Sequence, residues 1–346
     1  MADQRLQRYD RQMLLPQIEE TGQRRLMASR VLLVGCGALG TAIADQLVRA
    51  GVGHLTIVDR DIVELTNLQR QTLFDEADAR DEMPKAIAAA NRLRRVNSEV
   101  EVTPIVADVH AGNLEELLRP GFALVLDGTD NVQTRYLIND VAVKHGLPWV
   151  YGAAVGVEGR VMGIVPGMTP CLRCIFPNPP SAAELPACDT AGVLGMGATI
   201  VGAYQAIEAI RLLVGEKASG VLMRMDFWPP RTHNVSTVDA RREDCVCCGR
   251  RRFDYLDAPS GDAAVTLCGR NAVQVRPSGR VVLILAELAT KLATAGEVER
   301  NAYFVKCKLR DPSGLVLTVF PDGRTLVQGV NDLGRAKSIH ARFVGG

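Results

Sequence analysis

The chain has 346 residues, of which 47% are hydrophobic and 23% charged, and its formal net charge at pH 7 is +1. This composition is typical of a folded globular protein and argues against nucleic acid or an anionic membrane as a partner. The polar N-terminal sequence MADQRLQRYDRQ lacks the apolar segment of a signal peptide, and no apolar run approaches the roughly 20 residues of a membrane span. Nine cysteines without an export signal favour metal or redox chemistry in a cytoplasmic protein.

A strand, a glycine-rich turn, a helix and a second strand follow in residues 31–59, after a charged lead-in that we predict to be helical on both sides of Pro16. Gly35 permits a tight turn, Gly37 lets backbone approach a phosphate, and Gly40 lets the helix pack closely on the sheet. Asp59 ends the second strand, where it can accept hydrogen bonds from a ribose. The pattern predicts a nucleotide site without naming the nucleotide, although an ordinary βαβ turn could share it.

Strands and helices continue to alternate, which predicts an α/β fold with a doubly wound, mainly parallel sheet of the Rossmann-like kind. The sequence favours a glycine-rich hairpin after residue 151 and a long apolar helix, expected to be buried, at residues 195–214. We assign residues 1–256 to this first domain. The predicted elements are helices at 84–96, 114–118 and 132–145 and strands at 101–106, 123–127, 149–151 and 220–227.

A change of composition at residues 257–261 indicates a linker before a small α+β module at residues 261–346. The module is predicted to hold one central helix, a terminal helix and a turn at Pro321-Asp322-Gly323. Its role is open. Its predicted strands lie at 264–269, 272–276, 302–310, 315–320 and 325–330, and its central helix at 283–295.

Polar residues that suit a triphosphate follow the βαβ unit. Arg70 can hold phosphate oxygens through two hydrogen bonds, and Lys85 can act as a compact point charge. Asp127 and Asp130 follow a strand at the edge where ligands bind in open α/β sheets, and Asp130 can hold Mg²⁺. In the alternative interpretation, Arg70 and Lys85 are solvated surface charges and Asp130 caps the next helix.

Two Cys-x-x-Cys pairs, Cys171 with Cys174 and Cys245 with Cys248, have the spacing of a structural zinc site. Four thiolates close a tetrahedral site and leave no position open for catalysis, so the predicted role is to hold the irregular middle segment in place. Cys188 lies in a polar loop before a helix. It is either incidental or a nucleophile whose pKa is lowered by the helix N-terminus.

Segments spread along the first domain resemble, in order, the ThiF/MoeB/HesA adenylyltransferases, which are prokaryotic relatives of ubiquitin-activating enzymes. The resemblance covers about residues 5–250. It implies binding of ATP, Mg²⁺ and the C-terminal Gly-Gly tail of a small β-grasp sulfur-carrier protein. The tail carboxylate would attack the α-phosphate, release pyrophosphate and leave an acyl-adenylate ahead of sulfur transfer, in thiamine, molybdopterin or related biosynthesis. The segments are RYDRQ, VGCGALG, DRDIVELTNLQRQ, PKA, DGTDN, CLRC, PACDTAGVLG and CVCCG.

The resemblance also implies roles for individual residues. Arg11 matches an arginine that reaches into the site of a neighbouring subunit, which implies a homodimer. Cys188 matches a crossover-loop cysteine that can form an acyl or persulfide linkage to the carrier. Arg70, Lys85 and Asp130 complete the expected catalytic set. The residues implied to contact ATP or its metal are Gly35, Gly37, Ala38, Gly40, Asp59, Asp61, Asn67, Arg70, Lys85, Thr129 and Asp130.

The C-terminal module does not resemble a sulfurtransferase, so we expect a separate sulfur donor protein. Three other classes stay open from the sequence. One is an activating enzyme for ubiquitin-like protein conjugation, and another is an NAD-dependent oxidoreductase, in which Arg70, Lys85 and Asp130 would have no role. The last is a non-catalytic scaffold that binds a partner through its zinc site and C-terminal module.

Overall fold

The computed structural model describes residues 3–180, 192–258, 264–267, 271–277, 279 and 281–345. The chain divides into two units, Met1–Ala258 and Pro259–Gly346, which are described separately below.

Eight strands form the sheet of the first unit in the order β3-β2-β1-β4-β5-β6-β7-β8. The first five in this order are parallel, and the last three are added antiparallel, which confirms the predicted mainly parallel α/β sheet. The sequence pattern missed β8, because all seven of its residues are exposed and none marks a buried face. The strands are β1 Arg30–Val34, β2 His54–Asp59, β3 Glu101–Val106, β4 Leu124–Asp127, β5 Trp149–Val155, β6 Glu158–Ile164, β7 Val221–Phe227 and β8 Pro230–Ser236.

Helices cover both faces of the central strands, which read as apolar runs because both of their faces are buried. A 3-10 helix, α1 and α2 flank Pro16 as predicted. Helix α5 begins at Lys85. The sequence predicted Pro84 as the first residue of this helix, but Pro84 is its N-cap. The helices are α1 Asp10–Met13, α2 Glu19–Ala28, α3 Ala38–Ala50, α4 Glu76–Arg80, α5 Lys85–Val96, α6 Leu114–Leu117, α7 Val132–His145, α8 Leu172–Ile175 and α9 Gly195–Val214.

The long helix α9 has the predicted bounds but differs from the prediction in two ways. Its 20 residues, with a mean hydropathy of 1.2, are long and apolar enough for a membrane span, so the expectation of no such run was wrong. The helix also keeps one face exposed, and half of its most apolar window is buried. Its buried face packs on α3, β5 and β6, as expected of a core helix.

The second unit is a six-stranded antiparallel sheet in the order β11-β12-β13-β14-β10-β9. Two helices cover one face through a core that includes Val273, Leu292, Leu317 and Ile339. The predicted α+β character is confirmed, and the missed strand β11 has the charged sequence GEVER at the sheet edge. The elements are β9 Ala264–Leu267, β10 Ala272–Val275, α10 Leu285–Ala293, β11 Gly296–Arg300, β12 Val305–Leu309, β13 Val316–Val319, β14 Thr325–Gln328 and α11 Leu333–Phe343.

Candidate active site and metal centre

The loops that follow β1 and β4 meet where the strand order changes direction, which is where open α/β sheets bind ligands. Gly35 adopts a φ of +87°, and a Cβ atom there would lie 2.8 Å from the Gly128 backbone. A Cβ atom at Gly40 or at Gly128 would overlap the Gly35 carbonyl oxygen. These three glycines are therefore required for the two loops and α3 to touch one another.

Gly37 differs from these three glycines because open space adjoins it. A Cβ atom there would meet only the Gln71 Nε2 atom, at 3.9 Å. Gly37 is the N-cap of α3, which begins at Ala38, and no side chain caps this helix end. The first N–H groups of α3 therefore keep their hydrogen-bonding capacity, and the helix dipole favours an anion there. This phosphate cradle, formed by Gly37 and the first N–H groups of α3, fits a phosphate group.

Asp59 is a buried carboxylate that holds the glycine turn in place. Its Oδ2 atom accepts a 2.6 Å hydrogen bond from the Cys36 N–H, and its Oδ1 atom accepts one of 2.7 Å from the Asp61 N–H. Burial raises the pKa of Asp59, and the nearby Lys85 ammonium opposes that shift. Lys85 is only 5% exposed at its side chain and donates to Asp61 Oδ2 at 3.1 Å. The structure thus brings together three of the residues implied to contact ATP.

A buried ion pair supports the loop after β4. Arg135 Nε donates to Asp127 Oδ2 at 3.0 Å, and the same guanidinium donates to the Thr129 carbonyl oxygen. Asp127 also accepts from the backbone N–H and the hydroxyl of Thr129. Burial raises the pKa of Asp127, opposed chiefly by Arg135. The pair fixes the backbone that carries Asp130.

Asp130 follows the same strand, and Arg60 and Arg135 lie near enough to interact with its charge. Its side chain is exposed and has no hydrogen bond or salt bridge within the part of the chain that the structure describes. The N-cap of α7 is Asn131, whose side chain accepts from the Thr134 N–H at 3.0 Å, so the interpretation of Asp130 as the helix cap was wrong. An exposed, unpaired carboxylate beside a phosphate cradle suits Mg²⁺.

The segment of residues 67–71 lies against the glycine turn. Asn67 is buried and accepts from the Glu64 N–H at 3.1 Å, so part of its role is to shape this segment. Arg70 donates to the Thr66 carbonyl oxygen at 2.9 Å and has no carboxylate partner among the described residues. A Cβ atom at Gly195 would lie 3.2 Å from Arg70 Cβ, so the start of α9 packs directly on this arginine.

Sequence reasoning did not single out Gln71. This residue is 4% exposed, and its Oε1 atom has no hydrogen-bond partner in the described ranges. Its other amide atom is the one closest to the open side of Gly37. Gln71 is the second Gln of the NLQRQ segment, so the sequence offered it as a candidate. The prediction selected Arg70 from this segment because of its charge.

Two further predicted residues have less structural support. Arg11 lies in α1 and is exposed, in keeping with a residue available to a second chain. Cys188 lies outside the described residues. The described chain resumes at Gly192, and Gly192 and Val193 pair with Gly156 just before α9.

Four sulfur atoms of the predicted zinc ligands converge. The Sγ atom of Cys171 lies 3.9 Å from that of Cys174 and 3.6 Å from that of Cys245, and the Sγ atoms of Cys174 and Cys248 are 3.4 Å apart. Zinc with Zn–S bonds of about 2.3 Å places its sulfur ligands about 3.8 Å apart in a tetrahedron. The four thiols, all within 4.8 Å of one another, therefore fit Zn²⁺.

Asn139 of α7 links the two cysteine pairs. It is fully buried, accepts from the Leu172 N–H at 2.8 Å and donates to Cys247 Sγ at 3.2 Å. Cys247 thus supports the site from outside the four-sulfur cluster. The four cysteines come from the segments that follow β6 and β8, and they pack with α7 on the face of the sheet opposite α9.

Comparison with known proteins places these features in a family. The ThiF family profile matches residues 9–247, which include the glycine turn and three of the four clustered cysteines, with Cys248 one residue beyond the match. A crystal structure of E. coli MccB with ATP shares the fold at a TM-score of 0.58 and 22% identity, over 66% of this chain and 69% of that one.

Two curated relatives are more similar in sequence. The sulfur carrier protein ThiS adenylyltransferase of Bacillus subtilis is 43% identical over 339 residues, which are 98% of this chain and 99% of the relative. The sulfur carrier protein adenylyltransferase of Thermus thermophilus is 39% identical over 262 residues, which are 72% of this chain and 95% of the relative. The chain belongs to the ThiF family.

Proposed function

We propose that this protein uses ATP to adenylate the C-terminal Gly-Gly carboxylate of a ubiquitin-like sulfur-carrier protein, ahead of sulfur transfer. The two relatives named above are adenylyltransferases of sulfur carriers, and the Bacillus protein matches this chain over nearly its whole length. The observation that supports the activity most strongly is the pairing of an open, uncapped helix N-terminus at Gly37 with the unpaired carboxylate of Asp130.

The chemistry needs charge compensation rather than a proton acceptor, because the attacking carboxylate is already ionised at neutral pH. A carboxylate oxygen of the carrier forms a bond to the α-phosphorus, the bond to the bridging oxygen breaks, and pyrophosphate leaves with that electron pair. Negative charge accumulates around phosphorus on the way. Arg70, Lys85 and the N–H groups at the start of α3 are the fixed donors that would stabilise it.

Each remaining residue has a binding role in this proposal. Asp59 would accept from the ribose hydroxyls while it keeps its two backbone hydrogen bonds. Asp130, with Thr129 beside it, would hold Mg²⁺, which neutralises charge on the triphosphate when bound. Asn67 and Asp61 would act by placing Arg70 and Lys85, to which the structure links them by backbone and side-chain contacts.

We also propose that the active form is a homodimer. Arg11 is exposed on α1, and the neighbouring Leu14 is 72% exposed. On α9, Met196, Ile200 and Ile207 form an exposed apolar stripe next to the helix end that packs on Arg70. A second copy that covers this stripe could bring its Arg11 to the phosphates. Mixing Arg11→Ala and Arg70→Ala chains should then restore activity, because one site of the mixed dimer keeps both arginines.

Sulfur would come from a separate donor protein. Cys188 would accept or relay the activated carrier after adenylation, so Cys188→Ala should leave pyrophosphate exchange intact and slow only the later transfer. Loss of both activities in that variant would show that its role has been misassigned.

The test of the main proposal is ATP–pyrophosphate exchange that depends on a carrier protein. Exchange should need a carrier with its two terminal glycines and should be lost in Arg70→Ala and in Asp130→Ala. Exchange that persists in both variants, or that a carrier lacking the two glycines supports equally well, would overturn the assignment.

A further inference from the structure

Two arginines and a histidine stand in register across adjacent strands of the first unit. Arg160 of β6 pairs with Arg224 of β7, which in turn pairs with His233 of β8. Their side chains are 41%, 49% and 58% exposed. Like charges placed directly opposite each other destabilise a sheet. The Arg160–Arg224 pair therefore lowers the stability of the sheet locally, and the fold gives no structural reason for it.

Neighbouring acids offset this charge only in part. The adjacent register row consists of Glu158, Asp226 and Arg231. The N–O distances from Glu158 and Asp226 to the cationic row are between 3.4 and 3.8 Å, which is long for charge-assisted hydrogen bonds. Three arginines and one histidine thus face two carboxylates, so this part of the sheet is cationic.

The face that carries the row is not covered by α9, which packs on the other side of the same strands. A Cβ atom at Gly159 would overlap Val201 of α9, and one at Gly163 would overlap Glu208 of α9. Alternation along β6 therefore points Glu158 and Arg160 to the opposite face. We name this surface, formed by residues 158, 160, 224, 226, 231 and 233, the cationic face.

The cationic face begins next to the proposed reaction centre. Arg160 lies near Tyr151 of β5, where it opposes the burial that raises the pKa of that tyrosine, and the Arg135 guanidinium lies 5.7 Å from the centre of the same ring. Arg135 is the residue that holds the loop of Asp127 and Asp130. A protein that delivers its tail to Asp130 can therefore rest its body on this face.

Two exposed apolar side chains lie at one edge of the cationic face. Val157, in the turn between β5 and β6, is 41% exposed, and Trp228, in the turn between β7 and β8, is 78% exposed. The two turns are joined by a 2.8 Å hydrogen bond from the Phe227 N–H to the Val157 carbonyl oxygen. Tryptophan and arginine are the residue types most enriched among residues that dominate protein interfaces.

We propose that the cationic face, with Val157 and Trp228 at its edge, binds an acidic surface patch on the globular body of the carrier protein. The inference rests on the proposed function and adds to it the electrostatic basis of carrier recognition. A second copy of this chain is a poorer occupant, because its own cationic face would repel this one. Charge complementarity of this kind acts on encounter and specificity more than on the chemical step.

The experiment measures ATP–pyrophosphate exchange driven by ThiS, the carrier named for the Bacillus relative, with Arg160→Glu, Arg224→Glu and the double variant. The KM for the carrier should rise about tenfold in the double variant, while kcat and the KM for ATP stay within about twofold. Salt should raise the carrier KM of the unmodified chain and have less effect on the double variant. Arg119→Glu is the matched control, because Arg119 is 77% exposed at its side chain and lies before the amino end of the central strand β4, whereas Asp130 follows its carboxyl end.

The inference fails if the double variant keeps its carrier KM, or if Arg119→Glu raises it equally. It also fails if the double variant changes the sedimenting mass of the enzyme alone, because the face would then belong to a contact between copies. Arg160→Lys with Arg224→Lys should restore the low KM, which separates charge from misfolding. If the unmodified chain supports no exchange with the carrier, the proposed function fails instead.

Discussion

The ammonium group of Lys85 lies 3.1 Å from the Asp61 carboxylate, in a site where the lysine side chain is almost fully buried. The Asp59 carboxylate is close enough for Lys85 to oppose the rise in its pKa. A buried lysine needs such compensation to stay charged. The pair therefore keeps a cation ready beside the phosphate cradle.

Lys85→Met tests this role. The variant should lower kcat/KM for pyrophosphate exchange about a hundredfold or more, as the loss of one preorganised donor does in other enzymes. Lys144→Met is the control, because Lys144 makes a comparable 2.9 Å contact with Glu115 on the surface. Exchange within threefold of the unmodified chain in Lys85→Met would show that this lysine has no part in the reaction.

Alanine substitutions at Gly40 and at Gly37 should have different effects, the first on stability and the second on ATP binding. Gly40→Ala should destabilise the fold by about 3 kcal/mol or more, because its methyl group would overlap the Gly35 carbonyl. Gly37→Ala should leave the melting temperature nearly unchanged and raise the KM for ATP, because its methyl group enters only the open cradle. Thermal melts and ATP titrations measure these two effects. An equal fall in melting temperature in both variants would contradict the proposed cradle.

The two aspartates of the loop after β4 should also behave differently. Asp130→Asn should keep the melting temperature and require more Mg²⁺ for exchange, because an amide is a poorer magnesium ligand. Asp127→Asn leaves Arg135 buried without its charge partner, so unfolding should become easier by about 3 kcal/mol. Denaturant unfolding and magnesium titration measure the two effects. A large stability loss in Asp130→Asn would mean that this residue is structural.

Zinc removal should act on stability rather than directly on chemistry. We expect one bound zinc per four-cysteine cluster, measured by elemental analysis, and loss of that zinc in Cys174→Ser. A strong chelator should lower the melting temperature, since structural zinc contributes folding energy. Cys307→Ser is the control, because this cysteine is buried in the second unit. An unchanged melt after full zinc loss would contradict the structural role.

The sequence predicted the features that depend on local pattern and missed those that depend on neighbours in space. The spacing of Gly35, Gly37 and Gly40 indicated the turn, but the contact of Gly35 with Gly128 joins loops that are distant in the chain. Asp59 was expected at the ribose, yet its backbone hydrogen bond to Cys36 is visible only in the fold.

The missed strands have a common cause. β8 is exposed along its whole length and β11 is charged, so neither shows the apolar alternation that marks a strand. The cationic face includes residues of β8, so it could not be predicted from the sequence for the same reason. Asn131 likewise outcompetes Asp130 for the helix cap, a choice that residue type alone cannot decide, because both side chains are good caps.

The most direct measurement of the central claim is the intact mass of the carrier protein after incubation with this chain, ATP and Mg²⁺ in the absence of a sulfur donor. The account predicts a carrier that gains the mass of one AMP at its C-terminal glycine with the unmodified chain and no gain with Arg70→Ala. A carrier that stays unmodified while ATP is consumed, or that gains AMP after its two terminal glycines have been removed, would contradict it.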